Sequence, residues 1–252
     1  MKTILHTNKW MAAILLLIGS LAFQACDNDD DRYYYYAHSF PNALVTVKHA
    51  ADQSVYLQLD DSTTLLPLNM PTSPFGKKEV RALMNCTPLN ANSGIYDQAV
   101  QINWIDSILT KNTAADLGDR NDEVYGNDPV DIVNDWVTIA EDGYLTLRFR
   151  TRWGRSQPHF VNLLTGQNPS DPFEVEFRHN AYGDLYGEVA DGLVAFKLDD
   201  LPDTQGQTVK LTLKWNSPDG EKKAQFNYCT RRATLPSDPD SMTEQRSLLP
   251  LE

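Results

Sequence analysis

The chain has 252 residues, with 22 Lys+Arg against 34 Asp+Glu, a formal net charge of −12 and a pI near 4.8. That balance argues against nucleic acid as a partner, because phosphates are held by clustered Lys and Arg, and it repels anionic membrane surfaces. An apolar fraction of 41% with 10% aromatics excludes disorder throughout, and 3 Cys are too few for a disulfide scaffold.

Residues 1–25 read as a secretory signal. Lys2 and Lys9 form a positive start, and residues 11–23 form an apolar run interrupted only by Gly19 and Ser20. That run is shorter than the roughly 20 residues a membrane span needs. The stretch Leu21-Ala22-Phe23-Gln24-Ala25-Cys26 resembles a lipobox, with small Ala25 just before the Cys that would be acylated. Cys26 is therefore expected to carry the lipid that holds the protein in a membrane. The alternatives are an ordinary cleaved signal with an incidental Cys, or an uncleaved anchor. Cleavage before Cys26 would remove Lys2, Lys9 and no acid, leaving 227 residues at −14. The run Asp27-Asn28-Asp29-Asp30-Asp31 resembles the surface-export signal of Bacteroides-type lipoproteins, and it also suits a solvated spacer. It favours an outer-membrane lipoprotein exposed on the cell surface over one facing the periplasm. Residues 26–41 are read as a tether that ends in Tyr33-Tyr34-Tyr35-Tyr36.

From residue 42 the pattern alternates with a period of two. Val45 and Val47 oppose Thr46 and Lys48; Val55, Leu57 and Leu59 oppose Tyr56, Gln58 and Asp60, with a turn at Ala50-Ala51-Asp52-Gln53. This is a β-hairpin pattern. A third strand is expected in 64–70, a fourth with Val80, Ala82, Met84 and Cys86 on one face, and a fifth in 95–108; residues 77–85 also fit a helix. Five strands in so short a span is the count of an OB-type barrel, placed at 42–112. Residues 113–130, rich in Asp, Asn and Gly, read as an acidic linker.

Residues 131–230 alternate more clearly still. Leu145, Leu147, Phe149 and Trp153 oppose Thr146, Arg148, Arg150 and Arg152; Val175 and Phe177 oppose Glu174 and Glu176; Leu211, Leu213 and Trp215 oppose Thr212 and Lys214. Turn signals at Asp142-Gly143, Asn168-Pro169 and Pro218-Asp219-Gly220 separate them. The fold class expected is all-β, an OB-like five-stranded barrel followed by an antiparallel β-sandwich. Residues 231–252 read as a mobile tail.

With these residues in view, the chain resembles the NigD-like lipoproteins. The resemblance rests on the lipoprotein start, on Val55-Tyr56-Leu57-Gln58-Leu59-Asp60-Asp61, on Lys78-Glu79-Val80-Arg81-Ala82, on the run from Gln101 to Lys111, and on Asp135-Trp136-Val137-Thr138 followed by Gly143-Tyr144-Leu145. It implies an N-terminal OB domain, a C-terminal β-sandwich and an envelope location. No catalytic residue transfers with it.

The residues carry no His-Glu-x-x-His, Gly-x-Ser-x-Gly, Walker or Gly-x-Gly-x-x-Gly pattern, so no catalytic residue and no cofactor is assigned. Asp119, Asn121 and Glu123 have the alternating oxygen spacing of a calcium loop, but Val124 stands where such a loop needs Gly, and a solvated loop is the preferred reading. Cys86 and Cys229 could bridge in an exported protein, although their strand faces and separate domains favour unpaired thiols. Arg148, Arg150 and Arg152, with Arg155, could receive an anionic glycan, a nucleotide or an acidic partner; the preferred alternative is a ladder with Glu174 and Glu176. Tyr56, Tyr96, Tyr144, Tyr182 and Tyr186 are candidates for stacking on sugars. The expected function is a non-catalytic binding or assembly module with an unknown protein or glycan partner, against a glycan-binding lipoprotein or a hydrolase of unrecognised type.

Overall fold

The computed structural model describes residues 40–231. The signal segment, Cys26, the acidic run, the four Tyr and residues 232–252 lie outside them. Five strands come first: β1 (Ala43–His49), β2 (Val55–Gln58), β3 (Thr64–Pro67), β4 (Val80–Leu89) and β5 (Gln98–Ser107). They close into a barrel in the order β1-β2-β3-β5-β4. Closure leaves no free edge, and the alternating apolar positions fill the interior: Ala43, Val45, Val47, Leu57, Leu65, Ala82, Met84 and Val100. The helical alternative for 77–85 fails because Val80–Met84 pair with Ala43–Val47, and the β-branched and apolar alternation fits a strand in that register.

The second domain has two sheets. One runs in the order β6 (Leu109–Asn112), β13 (Glu188–Lys197), β10 (Tyr144–Trp153), β8 (Asp131–Ile132), with β9 (Ile139–Glu141) also on β10. The other runs β15 (Gly220–Tyr228), β14 (Val209–Ser217), β12 (Glu174–Asn180), β11 (Phe160–Thr165), β7 (Ala114–Ala115). Leu145, Leu147, Val194 and Phe196 of the first sheet meet Val161, Leu163, Val175, Phe177, Leu211 and Leu213 of the second in one core. Most pairings are antiparallel; β6 on β13, β7 on β11 and β12 on β14 are parallel.

Two sequence boundaries shift. Leu109–Asn112, assigned to the barrel, pairs with Val194–Lys197 of the sandwich. The acidic linker is not free chain: it holds β7, a 3-10 turn (Gly118–Arg120) and the short helix α1 (Asn121–Tyr125). Local side-chain bonds organise it, since Asn121 Oδ1 accepts from the Leu117 N–H at 2.9 Å and its Nδ2 donates to Asp116 Oδ1 at 2.6 Å.

The polar face of β1 does not meet water. Thr46 and Lys48 are buried, and Leu44 packs with Ile108, Val137, Ile139, Tyr144 and Ala195 in a third apolar cluster between barrel and sandwich. At this joint Arg81 Nη2 donates to Glu141 Oε1 at 2.7 Å, Arg81 Nη1 to Thr46 Oγ1 at 3.0 Å, and Lys48 Nζ to Asp142 Oδ1 at 2.7 Å. Asp142 and Gly143 form the two-residue β9–β10 turn with φ of 48° and 71°, the left-handed pair that a tight hairpin of this twist requires. Arg231, read as the start of a mobile tail, closes the network: its Nη1 donates to Glu79 Oε1 at 2.8 Å and its Nη2 to the Asp142 carbonyl at 2.6 Å.

Candidate binding face

The arginine row lies on the outer face of β10, as the alternation predicts, but its partners differ from those expected. Glu174 and Glu176 sit on β12 in the opposite sheet, where they meet Lys214, Lys223 and Arg178. Arg148 instead reaches Asp135 at 2.5 Å and Asp191 at 2.6 Å, and Arg150 Nε reaches Asp191 Oδ1 at 2.6 Å. Asp191 stands directly opposite Arg150 on β13. The two guanidinium groups pull its carboxyl down to about 2, Arg150 most strongly. Arg148 and Arg150 are thus engaged by carboxylates, while Arg152 gives one N–H to the Gly187 carbonyl at 3.0 Å.

The other candidates separate. Tyr144 is fully buried at the joint, its hydroxyl donating to Glu79 Oε1 at 2.6 Å, so it is no sugar platform. Tyr56 and Tyr96 stack on each other with centroids 5.3 Å apart. Asn121 spends its amide on its own loop, and Asp122, beside it, pairs with Arg178. No group of three or more His, Cys, Asp or Glu among the described residues could hold a metal ion. Cys86 and Cys229 are both free; burial raises the Cys86 thiol to about 12, which keeps it unreactive.

Tyr182 and Tyr186 converge with residues that the sequence did not single out as a group. The end of β10, the start of β11, the end of β12 and the start of β13 meet at one tip of the sandwich. There Trp153, Phe160, Tyr182, Tyr186 and Val189 are all exposed, half of the large apolar residues so placed in the described chain. Exposed ring surface is thus concentrated at one end of the sandwich. Phe160 and Tyr182 meet edge to face at 5.4 Å. The Trp153 indole donates to the Gln157 carbonyl at 3.2 Å, and Gln157 Nε2 donates to the Tyr182 carbonyl at 2.5 Å.

Beneath the rings is a polar brace. Buried Asp184 accepts the Ser156 N–H at 3.1 Å through Oδ2, and its own carbonyl accepts from His159 Nε2 at 3.1 Å. His159 Nδ1 in turn lies 3.0 Å from His179 Nε2, and His179 Nδ1 lies 3.3 Å from the Asp128 carbonyl. Burial, with the neighbouring His159 adding to it, pushes His179 down to about 4. Arg155 and Tyr182 hold φ of 62° and 49° on the two loops that this brace ties together. Left-handed non-glycine residues cost energy, and they persist where surrounding contacts fix them.

Family models match two segments of the chain: the NigD-like N-terminal OB domain over residues 44–108 and the NigD-like C-terminal beta sandwich domain over residues 112–228. Among solved structures, the chain is similar to a protein from Parabacteroides distasonis described as toxin related, with 38% identity, a TM-score of 0.64, and 75% of this chain and 92% of that one covered. It is similar to a protein of unknown function from Bacteroides vulgatus, with 25% identity, a TM-score of 0.62, and coverage of 79% and 96%. It shares its fold with a NigD-like immunity protein from Bacteroides caccae at 20% identity, a TM-score of 0.55, and coverage of 76% and 97%. No curated protein matches.

Proposed function

This chain belongs to the NigD-like family, and from that premise we propose that it is a lipid-anchored envelope protein that works by binding, without catalysis, through the tip of its β-sandwich. The observation that carries the reading is the set Trp153, Phe160, Tyr182, Tyr186 and Val189, exposed at the strand ends of one tip and on the loop that joins β12 to β13, with Asp184 and the two histidines bracing the loops there. Trp, Tyr and Arg are the residues that anchor contact faces, and a fixed backbone lowers the ordering cost of using them. The lipobox-like run ending in Cys26 supports anchoring, and the acidic run after it supports display on the outer surface of the outer membrane. His159 and His179 are bonded to each other, and buried Asp184 accepts the Ser156 N–H and stands 3.7 Å from His159 Nε2, which suits a brace for the loops.

The test is a photo-crosslinking side chain placed at Tyr186 in cells, compared with the same group at exposed Lys77 on the barrel. A discrete adduct from position 186 and none from 77 supports the tip as the contact face; equal or absent adducts refute it. Cys26→Ala, followed by fractionation and by protease treatment of whole cells, tests the anchor and the surface location.

A further inference from the structure

We propose that Arg231 is a latch between barrel and sandwich: it closes one edge of the sheet that faces the barrel, the chain crosses between the domains at the other edge, and withdrawing Arg231 lets the sandwich swing about that crossing. The device rests on the joint alone. Four observations carry it.

The first is where the two ties lie. Among the described residues the chain passes from barrel to sandwich once, from Ser107 of β5 through Ile108 to Leu109 of β6. β6 is one edge of the sheet ordered β6-β13-β10, and β9 lies on β10 at the far side. Arg231 lands on the β9–β10 turn there, through the Asp142 carbonyl. A sheet tied covalently at one edge and by side chains at the other is built as hinge and clasp, and a hinge needs only a few residues to take up a change of angle.

The second is how Arg231 is aimed. Thr230 is tied to the sandwich: its N–H donates to Thr204 Oγ1 at 3.0 Å, and the Thr204 N–H donates to Thr230 Oγ1 at 2.9 Å. From that fixed point the guanidinium reaches the barrel, with Nη1 donating to Glu79 Oε1 at 2.8 Å, and its Cζ lies 5.1 Å from the centre of the Tyr144 ring. A Cβ on Gly143 would stand 3.2 Å from Arg231 Nε, so the bare turn is what lets the guanidinium lie across it.

Charge is the third. The joint sets Lys48, Arg81 and Arg231 against Asp142, Glu141 and Glu79, and Asp61 accepts the Asp142 N–H at 2.6 Å beside them. Withdrawing Arg231 leaves the acids in larger excess and takes from Glu79 its one bonded cation among the described residues. Fourth, burial is graded. The side chains of Lys48 and Asp142 are 6% and 2% exposed and those of Arg81 and Glu141 0% and 4%, against 29% and 28% for Arg231 and Glu79. Water already reaches the outermost pair, so it can part while the inner pairs stay formed. Domains move relative to each other unless their interface is large and apolar, and this interface is closed at its β9 edge by charge.

The experiment measures the distance between a spin label at Ala91, in the loop after β4, and one at Ser170, between β11 and β12, in the full lipoprotein in detergent. Both labels are carried on ketone-bearing amino acids, which leaves Cys86 and Cys229 untouched. Wild type should give one narrow distribution. Arg231→Ala should widen it about twofold or more, or add a second distance, while Lys223→Ala on the outer face of β15 leaves it narrow. Hydrogen exchange on the same samples reports whether β2, β10 and β14 keep their protection. Widening with protection kept supports the latch. An unchanged distribution overturns it, because the buried pairs then hold the joint alone. Widening with lost protection in β10 or β14 also overturns it, because Arg231 then serves the folding of the sandwich. If Arg231→Ala does not fold, Arg231→Lys decides: it keeps the charge but lacks the planar fork that spans Glu79 and the Asp142 carbonyl. Its distribution should be wider than that of wild type, and a wild-type width overturns the proposal. Crosslinking at position 186 reads the contact face separately, so either result can fail without the other.

Discussion

Arg81 and Glu141 form a buried ion pair across the joint between barrel and sandwich, 2.7 Å from Nη2 to Oε1, with the Arg81 side chain fully buried. Arg81 Nε and Glu141 Oε2 have no protein partner among the described residues, so the pair is compensated on one side only. Removing one member strands the other in an apolar setting, which typically costs about 3–5 kcal/mol, whereas replacing both can be neutral. Arg81→Met is therefore expected to lower stability by about 3 kcal/mol or more at pH 8, and Arg81→Met with Glu141→Leu to recover most of it. Urea unfolding of the four proteins in a double-mutant cycle checks this; additive losses would show that the two residues act independently.

Glu141 also gives the joint a pH dependence. Burial raises its carboxyl to about 7, against the opposing pull of Arg81, from an unfolded value of 4.5. Between those values the folded protein holds a proton that the unfolded chain has lost. The resulting stability is fully present below pH 4.5 and disappears as pH rises through 7. Glu141→Gln removes that titration. Wild type measured against the variant should lose roughly 1–3 kcal/mol between pH 4.5 and 7.5, and a flat difference across this window would refute the assignment.

The barrel and the sandwich were legible because their interiors are lined by period-two alternation, as in Val45 and Val47 or Leu145 and Leu147. The joint was not. Thr46 and Lys48 follow the pattern of a solvated strand face, and only the second domain lying over them makes that face interior. Alternation says which residues share a side, and it does not say what covers the polar side. The same limit explains the arginine row, whose facing was read correctly while its acids were sought on the wrong strand: Asp191 reaches Arg150 through a β10–β13 register that no local pattern encodes. Tyr182 and Tyr186 were noted singly. Their assembly with Trp153 and Phe160 depends on four strand ends meeting in space.

His179 gives the sandwich a pH dependence of opposite sign. Its folded value of about 4 lies below the 6.5 of the free side chain. The unfolded chain binds the proton first, so stability is full above pH 6.5 and falls as pH drops toward 4. His179→Gln should be less stable than wild type at pH 8, since the imidazole bridges His159 and Asp128, and the gap should narrow by roughly 1–3 kcal/mol at pH 4.5. Unfolding midpoints at the two pH values decide it; a gap that widens in acid would refute the buried neutral imidazole.

Asp191 serves two arginines at a partly exposed site. The Arg148 and Arg150 side chains are 37% and 47% exposed, and pairs of this kind contribute less than about 1 kcal/mol. Asp191→Asn should therefore lower stability by under about 1 kcal/mol, and high salt should shrink the difference. A loss several times larger would mean that the bridge fixes the β10–β13 ladder itself. Because the Asp191 carboxyl is held at about 2, its contribution persists down to about pH 3.8 and is lost only as pH falls through 2.

Gly187 tests whether the tip is held rigid by its backbone. It has φ of 89°, and a Cβ there would stand 2.9 Å from the Trp153 carbonyl, an atom fixed in β10 that cannot rotate away. Gly187→Ala therefore meets both a left-handed backbone and a close approach, each with a cost of order 1 kcal/mol or more. The substitution should lower stability by about 1–3 kcal/mol and should loosen the contact of Arg152 with the Gly187 carbonyl. Hydrogen exchange gives the sharper readout: amides in 154–159 and 181–187 should exchange faster, while those of the barrel strands keep their protection. Faster exchange throughout the chain would mean that the tip is no separate unit. Unchanged exchange with unchanged stability would mean that the loops have room to move, and that their left-handed residues are held by something other than this packing.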